Sequence, residues 1–246
     1  ATPEAAAPTG RWDALRITPR WGTIALVAVN AAVFLAEPWY LTRWLGLPVF
    51  QFQGLALFFS LVASSTAIGN AGEWYRLITA NFLHIAWDHF AGDMVVLVIL
   101  GWAVERIVGT RLLVVAYLLT GTSALAGAYA FENCPNLLGA SASIFGLLGL
   151  LAGSVILQAV RSGRITREAR NTVLLVAAAL LLDAAAALPG TDHFAHVWAL
   201  VAGVPIGLTA PLAGRSRLPL AAALIGLALL TVGLVAWRDA TFACHV

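Results

Sequence analysis

The segment Gly139–Gly149, with the sequence GASASIFGLLG, places two serines and three glycines in a strongly apolar part of the chain. Helices in lipid pack by close backbone approach, and small residues line their contacts. Polar side chains at membrane depth are costly, so they are functional candidates by default. The segment therefore predicts a closely packed membrane helix that carries a polar site near its start.

The composition of the whole chain is typical of a membrane protein. Of its 246 residues, 61% are hydrophobic and only 11% are charged. A soluble domain of this length needs more charged side chains to cover its surface. The long apolar runs predict an all-α polytopic membrane protein built as a single helical bundle. The sequence has no basic patch with interleaved aromatics, which argues against a nucleic-acid partner.

Seven apolar segments predict seven membrane spans. Their approximate ranges are 22–39, 89–106, 111–131, 139–160, 172–189, 193–212 and 218–237. Segment 40–88 is interrupted by Pro, Gly and polar residues, and its Trp and Tyr suit the headgroup level, so we expect interfacial or re-entrant helices there. An eighth span near 52–68 is the alternative. The membrane domain is then 21–238, between tails at 1–20 and 239–246.

All fourteen basic residues are arginines, and their distribution predicts an orientation. With seven spans, one side of the membrane holds eleven of them and the other side holds three. The larger group is Arg11, Arg16, Arg20, Arg106, Arg111, Arg161, Arg164, Arg167, Arg170, Arg215 and Arg217. Cytoplasmic loops are enriched in Arg and Lys. We therefore expect a cytoplasmic N-terminus, a C-terminus outside, and location in a bacterial inner membrane.

Some polar residues inside the predicted spans could carry chemistry, and most of these lie at one depth. They are His89 and Asp93 in span two, Ser141 and Ser143 in span four, Asp183 in span five, and His193 and His196 in span six. Spans two, four and six all run inward, so their starts lie together near the outer face. We expect Ser143 to pack between helices and His193 to be a loop or interfacial residue. Asp183 is expected to be hydrogen-bonded within the bundle, with a gate or substrate-site role as the alternative.

Serine and histidine together indicate nucleophilic catalysis. A serine hydroxyl is a weak nucleophile until a base removes its proton, and histidine is the usual base. A helix start also offers unpaired backbone N–H groups to a developing oxyanion. The sequence thus predicts Ser141 as the nucleophile, a histidine of span six as the base, and His89 as a further donor.

Small residues in spans four and six predict the contact that this chemistry needs. Gly149 and Gly153 form a GxxxG pattern in span four, and Ala199 and Gly203 lie four residues apart in span six. Both of the latter share a helix face with His196. We expect the two spans to approach closely along this seam.

The chain resembles the rhomboid family of intramembrane serine proteases over residues 73–212. The segment EWYRLITANFLHIAWDHFAGD, residues 73–93, contains a Trp-x-Arg loop motif and a His-x-x-x-Asn-type motif at His89 and Asp93. GASASIFGLLG resembles the GxSG motif and its continuation, with the nucleophile at Ser141. AHVWALVAG resembles the AHxGG-type motif, with the base at His196.

The resemblance implies a six-helix core with a C-terminal seventh helix. It implies cleavage of transmembrane or juxtamembrane segments of membrane proteins that enter laterally from the bilayer, with no metal or other cofactor. It further implies that Ser141 attacks the carbonyl and that His196 takes and returns the proton. His89, Asp93 and the Ser141 amide would hold the oxyanion, and Phe145 would pack against His196.

Three positions depart from the family pattern. Asp93 replaces Asn, and an ionised carboxylate only accepts hydrogen bonds, so it would repel an oxyanion. It could contribute when protonated, which burial favours, or by orienting His89. Ala142 replaces Gly, and Val197–Ala199 replaces x-Gly-Gly, with Trp198 expected to point away from the base. These departures indicate a divergent branch, for which the rhombosortase branch is one candidate.

The two cysteines, Cys134 and Cys244, both fall outside in the predicted topology, where disulfides persist. A bridge between them would hold the loop that leads to Ser141, and two free thiols are the alternative.

Two other functions are alternatives to an active protease. A catalytically inactive rhomboid-like protein that binds membrane clients is favoured by Asp93 and by the changes in span six, whereas intact Ser141 and His196 argue against it. A metal or haem protein is disfavoured, because the five histidines show no ligand spacing.

Overall fold

The computed structural model describes residues 20–45, 60–185, 192–214, 216–241 and 244. In these ranges the chain is helical apart from short connections and one pair of two-residue strands. The elements are α1 (Trp21–Leu45), β1 (Ala63–Ser64), α2 (Ser65–Ala71), α3 (Arg76–Thr79), α4 (Trp87–Phe131), β2 (Asn136–Leu137), α5 (Ser141–Ser162), α6 (Arg167–Ala185), α7 (His193–Thr209) and α8 (Leu218–Thr241). Single 3₁₀ turns at Ala80–Phe82 and Ala210–Leu212 follow α3 and α7.

Several helices have the length and composition of membrane spans. Among the described residues, three are long and apolar enough to cross a bilayer: Ser141–Ser162, His193–Leu212 and Leu218–Thr241. The apolar helix Trp21–Ala36 is shorter. The expectation of an all-α polytopic membrane protein is confirmed, while the count of six helices plus a seventh stays a prediction.

Helix α4 is 45 residues long, but it is not continuous. At Gly109 the backbone leaves helical geometry, with φ 79° and ψ 166°. A positive φ of this kind is readily available only to glycine. The break separates two helical segments, and it falls between the predicted spans 89–106 and 111–131.

The break in α4 is also where α1 begins. Glu105, which is buried, accepts hydrogen bonds from Gly22 N and Thr23 N, each at 2.9 Å. It also accepts from Thr23 Oγ1 at 2.8 Å and from Thr110 Oγ1 at 2.6 Å. The first amides of a helix have no partner within it. One carboxylate therefore caps α1 and ties it to both halves of α4.

Helices α5 and α7 pack with backbone against backbone, as their small residues predict. A Cβ added at Gly149 would lie 1.9 Å from Leu200 O, and one added at Gly203 would lie 2.0 Å from Gly146 O. Gly207, which the sequence reasoning did not single out, continues the contact at 2.0 Å from Leu150 O. The predicted seam is confirmed, and it fixes the relative height of the two helices.

The segment before α4 folds as short elements rather than as a long helix from residue 60 onward. β1 pairs antiparallel with β2, so Ala63 lies opposite Leu137. The seven-residue α2 and the four-residue α3 follow. Residues 46–59 lie outside the described residues, so the re-entrant arrangement of 40–88 and the alternative span near 52–68 stay predictions.

A disulfide joins Cys134, between α4 and β2, to Cys244, after α8. Arg238 of α8 lies beside it and donates to Ala130 O and Glu132 O at 3.4 and 3.3 Å. The bridge links the end of the chain to the loop that leads into α5.

Candidate active site

Ser141 is the first residue of α5, and Gly139, two residues earlier, determines how the chain enters the helix. Gly139 has φ +116°, and its N–H donates to Ala80 O at 2.9 Å. A Cβ at Gly139 would lie 3.2 Å from His89 Nε2 and 3.4 Å from Ser141 Oγ. Glycine therefore leaves open a small space that His89 and Ser141 both border.

His196 lies on the first turns of α7, which has its own cap. Asp192 precedes the helix, and its Oδ1 accepts a hydrogen bond from Ala195 N at 2.9 Å. Aspartate is a favoured N-cap because it satisfies one of the free amides of the first turn. The sequence reasoning missed this residue, although an Asp directly before an apolar helix is a recognisable start signal.

Ser141 and His196 lie in contact across the seam of α5 and α7. His196 Nε2 is 2.8 Å from Ser141 Oγ. Phe145, one turn after Ser141, stacks on the imidazole with ring centroids 4.5 Å apart and an interplanar angle of 7°. His196 is only 8% exposed. The ring is thus fixed on one face by an aromatic side chain and on one edge by the serine.

The second nitrogen of His196 faces Asp183 of α6. Asp183 Oδ1 is 2.6 Å from His196 Nδ1, and Asp183 Oδ2 is 2.8 Å from His193 Nδ1. The expected hydrogen bonding of Asp183 is present, and both of its partners are histidines. His193 is about half exposed, as expected of an interfacial residue.

His89 and Asp93 lie together at the start of α4, next to a third polar residue. Asp93 Oδ2 is 3.5 Å from His89 Nε2 and 3.3 Å from His84 Nε2. The side chain of His84 is fully buried. The sequence reasoning assigned His84 no role, because no motif separates it from an ordinary buried histidine.

Two residues near the site point elsewhere, as the sequence predicts. Ser143 is fully buried, and its Oγ donates to Asn81 Oδ1 at 3.0 Å. Trp198 donates from Nε1 to Ser123 Oγ of α4 at 3.2 Å. Its ring covers Gly127, where an added Cβ would lie 2.8 Å from Trp198 Cδ2.

The histidines and acids of the site do not form a metal-binding group. Within the described ranges, no cluster of three or more His, Cys, Asp or Glu side chains has an arrangement that could hold a metal ion. His245, the last of the five histidines, lies outside those ranges.

The profile of the Rhomboid domain matches residues 71–212 of the chain, more than half of its length. The chain belongs to the rhomboid family. The matched region contains Ser141, His196, His89, Asp93 and Asp183, so the whole site falls within the family domain.

Relatives of this rhomboid include bacterial and plant proteins. Rhomboid protease GluP of Bacillus subtilis is 32% identical over 161 residues, which cover 64% of this chain and 31% of that protein. RHOMBOID-like protein 4 of Arabidopsis thaliana is 30% identical over 136 residues, or 55% of this chain and 34% of that protein. Putative rhomboid protease YdcA of Bacillus subtilis is 30% identical over 141 residues, which cover 52% of this chain and 70% of that protein. The chain spans about a third of the length of the first two.

One acidic pair lies just outside the spanning helices of this rhomboid. Glu132 follows α4, and its carboxyl lies close to that of Asp192, the cap of α7. Burial and the neighbouring Asp192 raise the pKa of Glu132 above its ordinary value of 4.5. When ionised, Glu132 therefore places a second negative charge beside Asp192 at the start of the helix that carries His196.

Proposed function

We propose that this rhomboid is an intramembrane serine protease that cleaves transmembrane or juxtamembrane segments of other membrane proteins. The observation that carries the proposal is the 2.8 Å contact between Ser141 Oγ and His196 Nε2 at the shared end of α5 and α7. A nucleophile within hydrogen-bond reach of its base is the geometry that such chemistry requires.

The proposed reaction follows the two-step course of acyl transfer. Ser141 Oγ attacks the scissile carbonyl carbon while His196 Nε2 takes its proton, and the resulting imidazolium gives that proton to the leaving amine. The carbonyl re-forms as an ester on Ser141. A water molecule then attacks the ester with His196 again as base, which releases the acid and restores the serine.

The developing oxyanion needs hydrogen-bond donors. We assign the backbone N–H of Ser141, which is free as the first amide of α5, and the imidazole of His89, whose Nε2 borders the same space beside Gly139. We propose that Asp93 acts on His89 rather than on the oxyanion, because an ionised carboxylate has no proton to donate. Its Oδ2 lies near the imidazoles of both His84 and His89.

The depth of the site suggests how substrates arrive. The site lies at the ends of helices that have the composition of membrane spans, so we propose that substrate segments enter laterally from the bilayer. The predicted orientation, with the site near the outer face of a bacterial inner membrane, belongs to the same proposal. Membership of the rhombosortase branch stays a prediction.

A second candidate function is binding of membrane clients without cleavage. It is favoured by Asp93, which stands at a position where the family carries an oxyanion donor. The contact of Ser141 with His196 favours the protease.

Labelling of detergent-purified protein with a fluorophosphonate probe tests the proposed function, because the probe reacts with activated serines. We expect wild type and S143A to be labelled, and S141A and H196A to be unlabelled. Ser143 is the matched control, since it is a serine of the same helix held by Asn81. Absence of labelling in folded wild type would exclude an activated serine and favour the client-binding function.

A further inference from the structure

We propose that Asp183 is a positioning residue that extends the pair to a Ser141–His196–Asp183 triad. The inference rests on the proposed function and assigns to α6 a part in the reaction. Asp183 touches no reacting atom, so it would act through the imidazole of His196.

The first support is geometric. A short contact lies on each edge of the His196 ring, at 2.6 Å from Nδ1 to Asp183 Oδ1 and at 2.8 Å from Nε2 to Ser141 Oγ. The three groups come from three helices, α5, α6 and α7. With Phe145 stacked on its face, the imidazole is held from three directions.

The second support is the environment of Asp183 on its own helix. The two preceding side chains, Leu181 and Leu182, are 71% and 70% exposed. Asp183 is the inward-facing residue of this turn, and its side chain is only 8% exposed. Polar groups at this depth need a partner, and Asp183 finds that partner in the proposed base.

The third support is the protonation that the carboxylate imposes. An ionised Asp183 can only accept, so Nδ1 of His196 must carry a proton and donate. In the neutral ring, Nε2 then has the free lone pair, and Ser141 O–H donates to it. This is the tautomer that a general base needs. The nearby carboxylate also stabilises the imidazolium that forms when Ser141 gives up its proton.

If Asp183 had a purely structural role, its substitution would have a different effect. Through Oδ2 the same carboxylate holds His193 at 2.8 Å, so Asp183 could simply tie α6 to α7. In that case the bond to His193 and the bond to His196 would matter alike. Further charged groups near this end of α7 are Asp192 and Glu132, which lie close together, and His89 across the site. None of these supplies the second contact of His196.

The test measures fluorophosphonate labelling as a function of probe concentration, which separates the maximal inactivation rate from the apparent probe affinity. The variants are D183N, D183E and H193Q, with S141A as the blank and melting temperature recorded for each. An asparagine keeps the size of the side chain but lets its amide donate to Nδ1, which favours the wrong tautomer. H193Q removes the other imidazole bonded to the same carboxylate.

We expect D183N to lower the maximal rate by roughly 10²- to 10⁴-fold with little change in probe affinity. D183E should recover part of the rate, and H193Q should lose far less than D183N. Labelling of D183N at the wild-type rate would overturn the triad while leaving the proposed function intact. Equal losses in D183N and H193Q, together with equal falls in melting temperature, would overturn it in favour of a tether. Unlabelled wild type would overturn the proposed function and the triad together.

Discussion

The imidazole ring of His196 is held in place by contacts on one face and at both nitrogens. Phe145 covers a face, and Ser141 and Asp183 take the two nitrogens. Asp192 fixes the first turn of the helix that carries it. As the proposed base, His196 would have little to reorganise when the reaction begins, and preorganisation of this kind is a major source of catalytic rate.

The pair of Glu132 and Asp192 at the start of α7 predicts that the stability of the protein depends on pH. Because the pKa of Glu132 is raised in the folded protein, its stabilising contribution is present below the ordinary value of 4.5 and is lost as pH rises through the folded value. Ionised Glu132 therefore costs stability at neutral pH. We expect E132Q to melt about 1–3 °C higher than wild type at pH 7.5. The difference should vanish below about pH 4.

A scan of melting temperature against pH checks this prediction. Equal melting temperatures of E132Q and wild type at neutral pH, or a difference that grows on acidification, would contradict it. E168Q serves as a contrast of opposite sign, because hydrogen bonds from its own backbone and from Thr166 lower the pKa of Glu168 on the exposed first turn of α6. This variant should therefore lose stability at neutral pH rather than gain it.

At the scale of helices, we expect the seam between α5 and α7 to set the distance between Ser141 and His196. At Gly149 an added methyl group would meet the backbone oxygen of Leu200. Backbone cannot move aside as a flexible side chain can, so the two helices would have to separate.

We therefore expect G149A to destabilise the protein by about 3 kcal/mol and to abolish or strongly slow fluorophosphonate labelling. The matched control is G233A, because Gly233 in α8 has nothing within 4 Å of an added Cβ. Alanine is the better helix former, so this variant should be neutral or slightly stabilising. The test is to measure the melting temperature and the labelling rate of G149A and of G233A. Normal labelling of G149A would show that the seam does not set the geometry of the site.

At the scale of the whole molecule, the disulfide closes a long loop. Cys134 and Cys244 are 110 residues apart, and the loop contains α5, α6, α7 and α8. A cross-link of this kind stabilises chiefly by restricting the unfolded chain, with a typical contribution of about 2–4 kcal/mol.

We expect the double variant C134S/C244S to melt at a lower temperature than wild type. Treatment with a reductant should lower the wild-type value toward that of the variant and leave the variant unchanged. An identical melting temperature for the two proteins would show that the bridge contributes nothing. A further fall of the variant on reduction would mean that the reductant acts elsewhere.

The sequence predicts one part of this architecture well and another part poorly. The contact between Ser141 and His196 and the glycine seam follow from local patterns of residue type and spacing, while the catalytic roles of the two residues stay predictions. Asp183 could be placed in a polar contact, but its pairing with both histidines depends on how α6 is rotated against α7, which no spacing encodes. Sequence reasoning missed His84 and Asp192 for different reasons. His84 is an isolated buried histidine that no motif marks, whereas Asp192 carries a local signal, an Asp directly before an apolar helix, that was not used.

The proposed function requires an activated serine at the start of α5, within a membrane protein. It is tested most directly by locating the fluorophosphonate adduct with mass spectrometry, using protein reconstituted in lipid vesicles. The account predicts one modified residue, Ser141, and loss of the adduct in H196A. An adduct on Ser143 or on a surface serine, or one on Ser141 that persists in H196A, would contradict it.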